Sequence, residues 1–318
     1  MARLGSTGLD VFPLCLGGNV FGWTTDDEQS FAVLDAYVAA GGNFIDSADS
    51  YSAFAPGNVG GESEAVIGKW LSSRGNRGQV IVATKVGKKP DRQLLAPDNI
   101  RAAVDESLAR LQTDYIDLYY AHLDDPDTPL EDTLATFDEL VREGKVRHIG
   151  ASNYEAPRLA EALAVSDREG LARYAVVQPH YSLVARSEYE GELQDLCLSE
   201  GLAVIPYWGL AKGFLTGKYR PGGDQVRSPR AGQAGVYLED ERNVELLDVL
   251  DEVAAAHGAS SAAVALAWLT AQPGVVSALA SATSPAQLAE SLAMVELTLT
   301  DAELERLADA SAQTAPAS

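Results

Sequence analysis

Eight short apolar runs recur along the chain, and each is followed by a segment with the character of an amphipathic helix. Several runs, such as VIVAT and LAVIPY, are apolar on both faces, as expected of parallel strands that helices cover. Alternation of strand and helix at intervals of about 30 residues predicts right-handed βαβ units, and eight such units can close into a (β/α)₈ barrel. The runs are Leu14–Leu16, Asn43–Ile45, Val80–Thr84, Tyr115–Tyr120, His148–Ala151, Ala175–Gln178, Ala203–Tyr207 and Val275–Leu279.

Capping signals mark where several helices begin and end. The tetrapeptide TDDE, with Thr25 as cap and Glu28 as its partner, is typical of a capping box before SFAVLDAYVAA, which Gly41-Gly42 ends. APDNIRAAVDESLARL, PLEDTLATFDELVREG and YEGELQDLCLSEG show the same character. A second capping box, from Thr300 to Glu303, predicts a last helix over LERLADAS.

Three features lie outside the eight units. The N-terminal segment RLGSTGLDV predicts a small hairpin that closes one end of the barrel. Residues Lys218–Asp240 are rich in Gly, Pro and Arg and predict a long loop. We expect residues 1–318 to form one barrel domain with extra C-terminal helices, and residues from about 312 to 318 to form a disordered tail, being too polar and small to pack.

The charge balance excludes several classes of partner. The chain has 318 residues, with 24 Lys and Arg against 46 Asp and Glu, a net charge of −22. Such a field repels polyanions, so neither a nucleic acid nor an anionic membrane is expected as a partner, and an anionic ligand needs a local basic pocket. The N-terminus lacks the pattern of a signal peptide, and no apolar stretch approaches the roughly 20 residues that span a bilayer. These features predict a soluble, cytoplasmic protein.

Neither the cysteines nor the histidines outside the strand ends show metal-ligand spacing. Cys15 and Cys197 lie in apolar sequence and are expected to be buried free thiols, although the sequence leaves a disulfide open. His148, His180 and His257 lack ligand partners at useful spacing, so we predict no metal site. The segment GFLTGK has one residue too few between its glycines for a phosphate loop, and no GxGxxG follows a strand, so a Rossmann domain is not expected.

Polar side chains gather where neighbouring strands end. Asp46 ends the second run, Tyr51 follows five residues later, and Lys85 and His122 end the third and fourth runs. Working residues of a (β/α)₈ barrel lie at such strand ends. Adjacent strands therefore deliver a carboxylate, a phenol, an ammonium and an imidazole to one rim, a set that suits proton transfer.

Electrostatics gives each of these residues a role. The pKa of a free tyrosine is about 10, and an ammonium about 4 Å away favours the phenolate by roughly 4 kcal/mol at an effective dielectric of about 20. We therefore expect Lys85 to lower the pKa of Tyr51 into the working range, Asp46 to hold Lys85 charged, and His122 to donate to the substrate oxygen or relay the proton. Taken singly, each residue has a structural alternative as a cap, a solvated strand end or a packing side chain. Their joint placement favours catalysis.

Five segments resemble a known family. GGNFIDSADSY, IVATKVG, YIDLYYAHLDD, HIGASNY and VIPYWGLAKGFLTGKY resemble motifs of the aldo-keto reductases, in the same order and over about residues 1–310. The resemblance implies a TIM barrel and the family's catalytic tetrad at Asp46, Tyr51, Lys85 and His122. It also implies NADPH-dependent reduction of an aldehyde or ketone, with Tyr51 as the proton donor.

The same resemblance implies three groups of cofactor-binding residues. The first binds the carboxamide and ring of the nicotinamide: Ser152, Asn153, Gln178 and Tyr207. The second cradles the pyrophosphate through backbone amides and basic side chains: Trp208, Gly209, Leu210, Ala211, Lys212 and Lys218. The third lies in SATSPAQLAES and binds the adenosine: Ser281, Thr283, Gln287, Glu290 and Ser291.

The adenosine segment departs from the family pattern, which usually places Arg or Lys there to bind the 2′-phosphate and an Asn near the adenine. Four of the five matching positions here carry neutral polar side chains. Neutral groups can bind a phosphate, but they lose the charge-assisted part of the interaction. We expect a weak preference for NADPH, and use of NADH or of both cofactors stays open.

The substrate pocket is the least constrained part of the site. Trp23, Phe54 and Trp208 lie on rim segments and predict an aromatic wall, with loop packing as the alternative. The sequence predicts a small carbonyl compound as substrate, but neither its identity nor the oligomeric state. Two other functions stay open: a cofactor-binding regulatory subunit, like the barrel subunits of some potassium channels, and a non-redox barrel enzyme such as a sugar isomerase.

Overall fold

Twelve strands and eleven α-helices make up the regular structure of residues 1–223 and 230–312, which the computed structural model describes. The strands are β1 (Ala2–Arg3), β2 (Asp10–Val11), β3 (Leu14–Gly17), β4 (Phe44–Asp46), β5 (Ile81–Val86), β6 (Lys88–Lys89), β7 (Arg92–Gln93), β8 (Ile116–Ala121), β9 (Val146–Ser152), β10 (Tyr174–Gln178), β11 (Ala203–Val204) and β12 (Ala278–Ala280). The helices are α1 (Asp27–Ala39), α2 (Glu62–Arg74), α3 (Pro97–Leu111), α4 (Leu130–Arg142), α5 (Ala156–Glu169), α6 (Glu192–Ser199), α7 (Ala231–Gly235), α8 (Glu241–His257), α9 (Ser261–Thr270), α10 (Pro285–Leu292) and α11 (Asp301–Ala310).

Eight parallel strands form one sheet in the order β11-β10-β9-β8-β5-β4-β3-β12. Its two edges meet, because the N–H of Val204 on β11 donates to the carbonyl of Gly274 and the N–H of Val276 donates to the carbonyl of Val204, both at 3.0 Å. Helices surround this sheet. The predicted (β/α)₈ barrel is confirmed, and each of the eight predicted runs overlaps a barrel strand.

Alternation of side chains along the strands places charged groups inside the barrel. Phe44 on β4 and Ile81 and Ala83 on β5 belong to the apolar cluster that fills the barrel interior. Residues two apart on a strand point to the same side of the sheet. Asp46 and Lys85 therefore face the same interior, one layer closer to the C-terminal ends of the strands, where barrel sites lie.

The hairpin of β1 and β2 covers the opposite end of the barrel, as the segment RLGSTGLDV predicts. Leu4 and Val11 are fully buried and belong to the same interior cluster as the barrel residues. Gly5 lies against the starts of β10 and β11, where a Cβ would approach the carbonyl oxygen of Ala175 to 2.8 Å. The hairpin is therefore a floor beneath the apolar interior.

The first predicted capping box was wrong by one residue. Helix α1 has Asp26 as its N-cap, and Asp26 forms the box with Gln29. The hydroxyl of Thr25 instead lies 2.8 Å from that of Ser30 and is buried, which leaves it no access to the helix end. The second box, between Thr300 and Glu303, is confirmed.

The segment from Lys218 to Asp240 is only partly a loop. Residues 230–240 contain α7 and a 3₁₀ turn over Val236–Glu239. They are ordered by packing on the barrel: Ala234 is fully buried, and the ring of Tyr237 lies 5.3 Å from that of Phe214. Residues 224–229 and 313–318, which include nearly all of the predicted tail, lie outside the described residues.

Cys15 and Cys197 are buried and unpaired, as predicted. Among residues 1–223 and 230–312, no group of three or more His, Cys, Asp or Glu side chains is arranged to hold a metal ion. In the same ranges no single helix is long and apolar enough to cross a membrane. Helices α8 and α9 taken together are long and apolar enough by length and composition, but a bend of 94° separates them.

Contact between α2 and α3 depends on Gly68, since a Cβ there would lie 2.1 Å from the carbonyl oxygen of Arg110. We expect Gly68→Ala to lower the free energy of unfolding by about 1–3 kcal/mol, because overpacking forces the helices apart. Urea denaturation measures this change. Gly78→Ala is the matched control, since its Cβ meets nothing within 4 Å. Equal free energies of unfolding for the two variants would contradict this prediction, because they would show that α2 and α3 accommodate the added methyl group without loss of stability.

Candidate active site

All four predicted catalytic side chains meet at the C-terminal end of the barrel. The Nζ of Lys85 lies 2.5 Å from Oδ2 of Asp46 and 2.9 Å from the hydroxyl of Tyr51. The ring of His122 lies beside that of Tyr51, with centroids 6.2 Å apart and planes inclined at 73°. The structure therefore places an acid, a cation, a carboxylate and an imidazole around one point.

A tight turn, rather than a strand, brings Tyr51 to this rim. The N–H of Asp49 donates to the carbonyl of Lys85 at 3.1 Å, and the N–H of Tyr51 donates to the carbonyl of Ala48 at 3.2 Å. Ser52 adopts a φ of 70°, and its hydroxyl donates to the carbonyl of Phe21 at 2.8 Å. These bonds fold the segment after β4 over the end of β5, so the phenol points at the lysine.

Lys85 and Asp46 form an ion pair with no exposed side-chain surface. The three protons of the ammonium have three acceptors: Asp46, the hydroxyl of Tyr51 and the carbonyl of Ser47, the last at 2.6 Å. Burial acts to lower the pKa of Lys85, but the charges of Asp46 and Tyr51 outweigh it and raise the pKa above its ordinary value. The lysine is held as a cation.

The expected lowering of the Tyr51 pKa was wrong in direction. Burial raises this pKa to about 12, and Asp46 contributes to the rise, whereas Lys85 lowers it without cancelling the effect of burial. The phenolate loses more free energy on removal from water than it gains from the charge of Lys85. Tyr51 is therefore fully protonated at neutral pH, and the role of Lys85 is to limit the rise.

His122 is a neutral imidazole. Burial lowers its pKa well below the ordinary value, and Lys85 and Lys88 lower it further. Its Nδ1 is buried and has no hydrogen-bond partner among the described residues. A neutral ring of this kind can exchange one hydrogen bond with a carbonyl oxygen beside Tyr51.

The four residues predicted to hold the nicotinamide form a hydrogen-bonded chain that ends at the ion pair. The hydroxyl of Tyr207 donates to Oδ1 of Asn153 at 2.8 Å, and Nδ2 of Asn153 donates to Oγ of Ser152 at 3.0 Å. Ser152 Oγ donates to the carbonyl of Gln178 at 2.8 Å, and Nε2 of Gln178 donates to Oδ1 of Asp46 at 3.0 Å. The residues predicted to bind the nicotinamide and those predicted to transfer the proton therefore belong to one network.

A cleft of about 710 Å³ lies between the segments that follow β11 and β12. This volume is within the usual range for small-molecule sites, about 300–1,000 Å³. Most residues predicted to bind the phosphates and the adenosine line it: Trp208, Gly209, Leu210, Lys212, Lys218, Ser281, Thr283, Gln287, Glu290 and Ser291.

The segment after β11 has an unusual backbone. Trp208, Ala211 and Lys212 have positive φ angles of 56°, 47° and 58°. Non-glycine residues are uncommon in this region, and successive turns of this kind point backbone N–H groups toward anions. Ala211 differs from its neighbours because it is buried and its N–H donates to the carbonyl of Trp208 at 2.7 Å, so this amide is already engaged.

Positive charge is concentrated in the cleft of an otherwise acidic protein. Lys212, Lys218 and Arg230 line it, together with the carboxylate of Glu290. Arg230 is a residue that sequence reasoning missed. It lies at the start of α7, with its guanidinium 5.5 Å from the ring centroid of Trp23. The Arg content of the predicted loop was the only signal for it.

The adenosine segment carries side chains that already bond one another. The hydroxyl of Thr283 donates to Oε1 of Gln287 at 2.8 Å. Ser281 donates to Oδ1 of Asn19 at 2.5 Å, and Asn19 is a second cleft residue that the sequence did not indicate. The segment is polar and neutral at these positions, as its sequence shows.

The predicted aromatic wall is partly assembled. Trp23 and Trp208 line the cleft, and the ring of Phe54 packs edge-on against Trp23 at 4.6 Å. Phe54 is 61% exposed and Trp208 is 39% exposed. Exposed aromatic surface at the mouth of a cleft suits an apolar ligand. Their contact with a substrate stays a prediction.

Asp49 is a buried carboxyl that the sequence did not single out. Its side chain is almost fully buried, and its Oδ1 has no hydrogen-bond partner among the described residues. Burial raises its pKa to about 7, and the charge of Glu64 adds to the rise, while Arg110 acts against it. The carboxyl therefore changes charge near neutral pH, two residues before Tyr51.

Comparison with known proteins identifies relatives over almost the whole chain. The model of the Aldo/keto reductase family matches residues 13–312. Norsolorinic acid reductase stcV of Emericella nidulans is 33% identical over 321 residues, which cover 95% of this chain and 79% of that protein. Protein tas of Escherichia coli is 34% identical and covers 95% and 96% of the two chains. The NADH-specific methylglyoxal reductase of Escherichia coli is 32% identical and covers 94% of each.

The raised pKa of Asp49 gives a prediction about stability. Between about pH 4 and pH 7 the unfolded chain ionises this carboxyl and the folded chain does not, so stability falls as the pH rises through this window. We expect Asp49→Asn to remove this loss, with a gain over wild type near pH 8 of at most ~4 kcal/mol and little gain near pH 4. Urea denaturation at both pH values measures it, with the exposed Asp98→Asn as control. Parallel stability curves for wild type and Asp49→Asn would contradict the prediction.

Proposed function

The chain belongs to the aldo/keto reductase family of NAD(P)H-dependent oxidoreductases. We propose that it reduces an aldehyde or ketone to an alcohol, with NADPH as hydride donor and Tyr51 as proton donor. The observation that carries the proposal is the 2.9 Å contact between Lys85 Nζ and the Tyr51 hydroxyl, backed by Asp46 at 2.5 Å. A phenol so held beside a buried cation is suited to give up a proton to an adjacent oxygen.

The high pKa of Tyr51 suits a proton donor in this direction. Hydride addition to a carbonyl leaves an alkoxide, which is a much stronger base than a phenolate, so proton transfer from Tyr51 is downhill even with a pKa of about 12. Lys85 then stabilises the phenolate that remains, and Asp46 keeps Lys85 charged and oriented. Neutral His122 is the hydrogen-bond partner that aligns the substrate oxygen with the phenol.

The residues of the cleft fit a dinucleotide. The reduced nicotinamide, when bound, supplies the hydride that no side chain can provide. Lys212, Lys218 and the backbone with positive φ angles after β11 would hold the phosphates. Ser152, Asn153 and Gln178 do not line the cleft; they carry amide and hydroxyl groups in the hydrogen-bonded chain that ends at Asp46. These groups match the carboxamide of a nicotinamide in hydrogen-bonding character.

For the cofactor we propose a weak preference for NADPH with use of NADH. Cations in the cleft favour a ligand with more phosphate groups, whereas Ser281, Thr283, Gln287 and Ser291 supply no charge of their own. One relative carries the name NADH-specific methylglyoxal reductase, which supports NADH as a candidate beside NADPH.

Replacing Tyr51 by Phe tests the proton donor. We expect the turnover number for carbonyl reduction to fall by a factor of about 100 or more, because the proton is lost while the ring remains. The dissociation constant for NADPH, measured by calorimetry, should change little. Tyr115→Phe, at the N-terminal end of β8, is a matched control that should keep full turnover. A Tyr51→Phe enzyme with wild-type turnover would exclude this tyrosine as the acid.

Adding a cation to the neutral adenosine segment tests the cofactor preference. We expect Gln287→Arg to lower the KM for NADPH about tenfold relative to that for NADH, because a charged hydrogen bond to the 2′-phosphate is worth roughly 1.5–3 kcal/mol. Ala286→Arg, its exposed neighbour, is the control for added charge. In the wild type, a lower KM for NADH than for NADPH would refute the weak preference for NADPH.

A further inference from the structure

His180 lies flat against Tyr207, the ring that the family resemblance assigns to the nicotinamide. The two ring centroids are 5.3 Å apart and the planes are inclined by only 15°. The ring of Trp208 stands perpendicular to His180 at 5.1 Å and closes the edge of the pair. The face of Tyr207 that His180 covers, its rear face, is therefore closed to a ligand.

Backbone and side-chain bonds fix this stack from several sides. The N–H of Tyr207 donates to the carbonyl of Pro179 at 2.9 Å, which ties the end of β10 to the segment after β11. The Tyr207 hydroxyl donates to Oδ1 of Asn153 at 2.8 Å, which holds the outer end of the ring in place. His180 is in turn held by Glu188, whose Oε1 lies 2.9 Å from Nδ1 of the imidazole.

The Glu188 contact also sets the chemical state of the imidazole. A carboxylate is an acceptor, so it selects the tautomer that carries hydrogen on Nδ1. The opposite nitrogen, Nε2, is buried and has no hydrogen-bond partner among the described residues. A histidine whose second nitrogen makes no bond gains little as a hydrogen-bonding group, so its contribution is the flat surface that it offers to Tyr207.

We propose that His180, oriented by Glu188, is a positioning residue for the nicotinamide: it supports the rear face of Tyr207 and fixes the plane on which the cofactor ring stacks. The inference rests on the proposed function. Offset and parallel rings are stabilised by about 0.5–1.5 kcal/mol beyond the area they bury. Losing the rear support lets the Tyr207 ring tilt, and the stacking of the nicotinamide weakens while the contacts of the phosphates and adenosine stay as they are.

Calorimetric titration of His180→Ala with two ligands tests this proposal. The ligands are NADPH and 2′-phospho-ADP-ribose, which is the same molecule without the nicotinamide. We expect the dissociation constant for NADPH to rise about threefold to tenfold and that for 2′-phospho-ADP-ribose to stay within twofold of wild type. In steady-state assays the KM for NADPH should rise by a larger factor than the turnover number at saturating NADPH falls.

His257 supplies a matched control, because its Nε2 also lies 2.9 Å from a glutamate, Glu303, and neither residue lines the cleft. His257→Ala should leave both dissociation constants unchanged. His180→Phe retains a flat ring and should recover NADPH affinity, although it cannot bond Glu188. Recovery of NADPH affinity in His180→Phe would show that the loss in His180→Ala comes from lost support of Tyr207. Thermal unfolding of each variant measures any general loss of stability.

Three outcomes would overturn the proposal. The first is an unchanged NADPH affinity in His180→Ala with a fully active wild type, which leaves the proposed function intact. The second is a parallel loss of affinity for both ligands, which indicates damage to the whole cleft. The third is a wild type that binds 2′-phospho-ADP-ribose and NADPH equally and reduces no carbonyl compound, which removes the proposed function together with this inference.

Discussion

The ion pair between Lys85 and Asp46 lies where the apolar interior of the barrel ends, and neither side chain reaches water. Withdrawing two charges from water costs several kcal/mol per ion, and their attraction offsets this only when the remaining donors and acceptors are also bonded. Ser47, Tyr51 and Gln178 supply those bonds. The position of the phenol and the chain of hydrogen bonds toward Asn153 therefore follow from the need to keep one buried pair satisfied. The arrangement proposed for catalysis is therefore also one that the stability of the buried pair requires.

Much of this arrangement was predictable, because strand spacing and alternation are local properties. The eight apolar runs became barrel strands, and Asp46 and Lys85 share the parity of the interior residues Phe44 and Ala83, so their meeting follows from the pairing of β4 with β5. The same reasoning brought His122 to the rim. Most of the predicted cofactor residues on the segments after β11 and β12 line one cleft for the same reason, since both segments leave the barrel at the same end.

Other parts depend on burial and on contacts between distant segments, which a sequence pattern does not carry. The attraction of Lys85 for the Tyr51 phenolate could be argued from spacing, but the loss of water that outweighs it could not, so the direction of the pKa change was wrong. Asp49 looks like any turn aspartate in DSADSY until its carboxyl is found buried. Arg230 reaches the cleft only because α7 packs on the barrel, and the Gly- and Pro-rich sequence around it predicts a loop.

The hairpin beneath the barrel determines from which side ligands can reach its interior. Leu4 and Val11 fill the lower end, so within residues 1–223 and 230–312 it is the rim that gives access to Tyr51 and Lys85. In the proposed reaction, cofactor and substrate would both enter and leave on this side. The one that lies deeper would then bind first and leave last. The hairpin that closes the lower end of the barrel thus determines the order in which the two molecules would bind and leave.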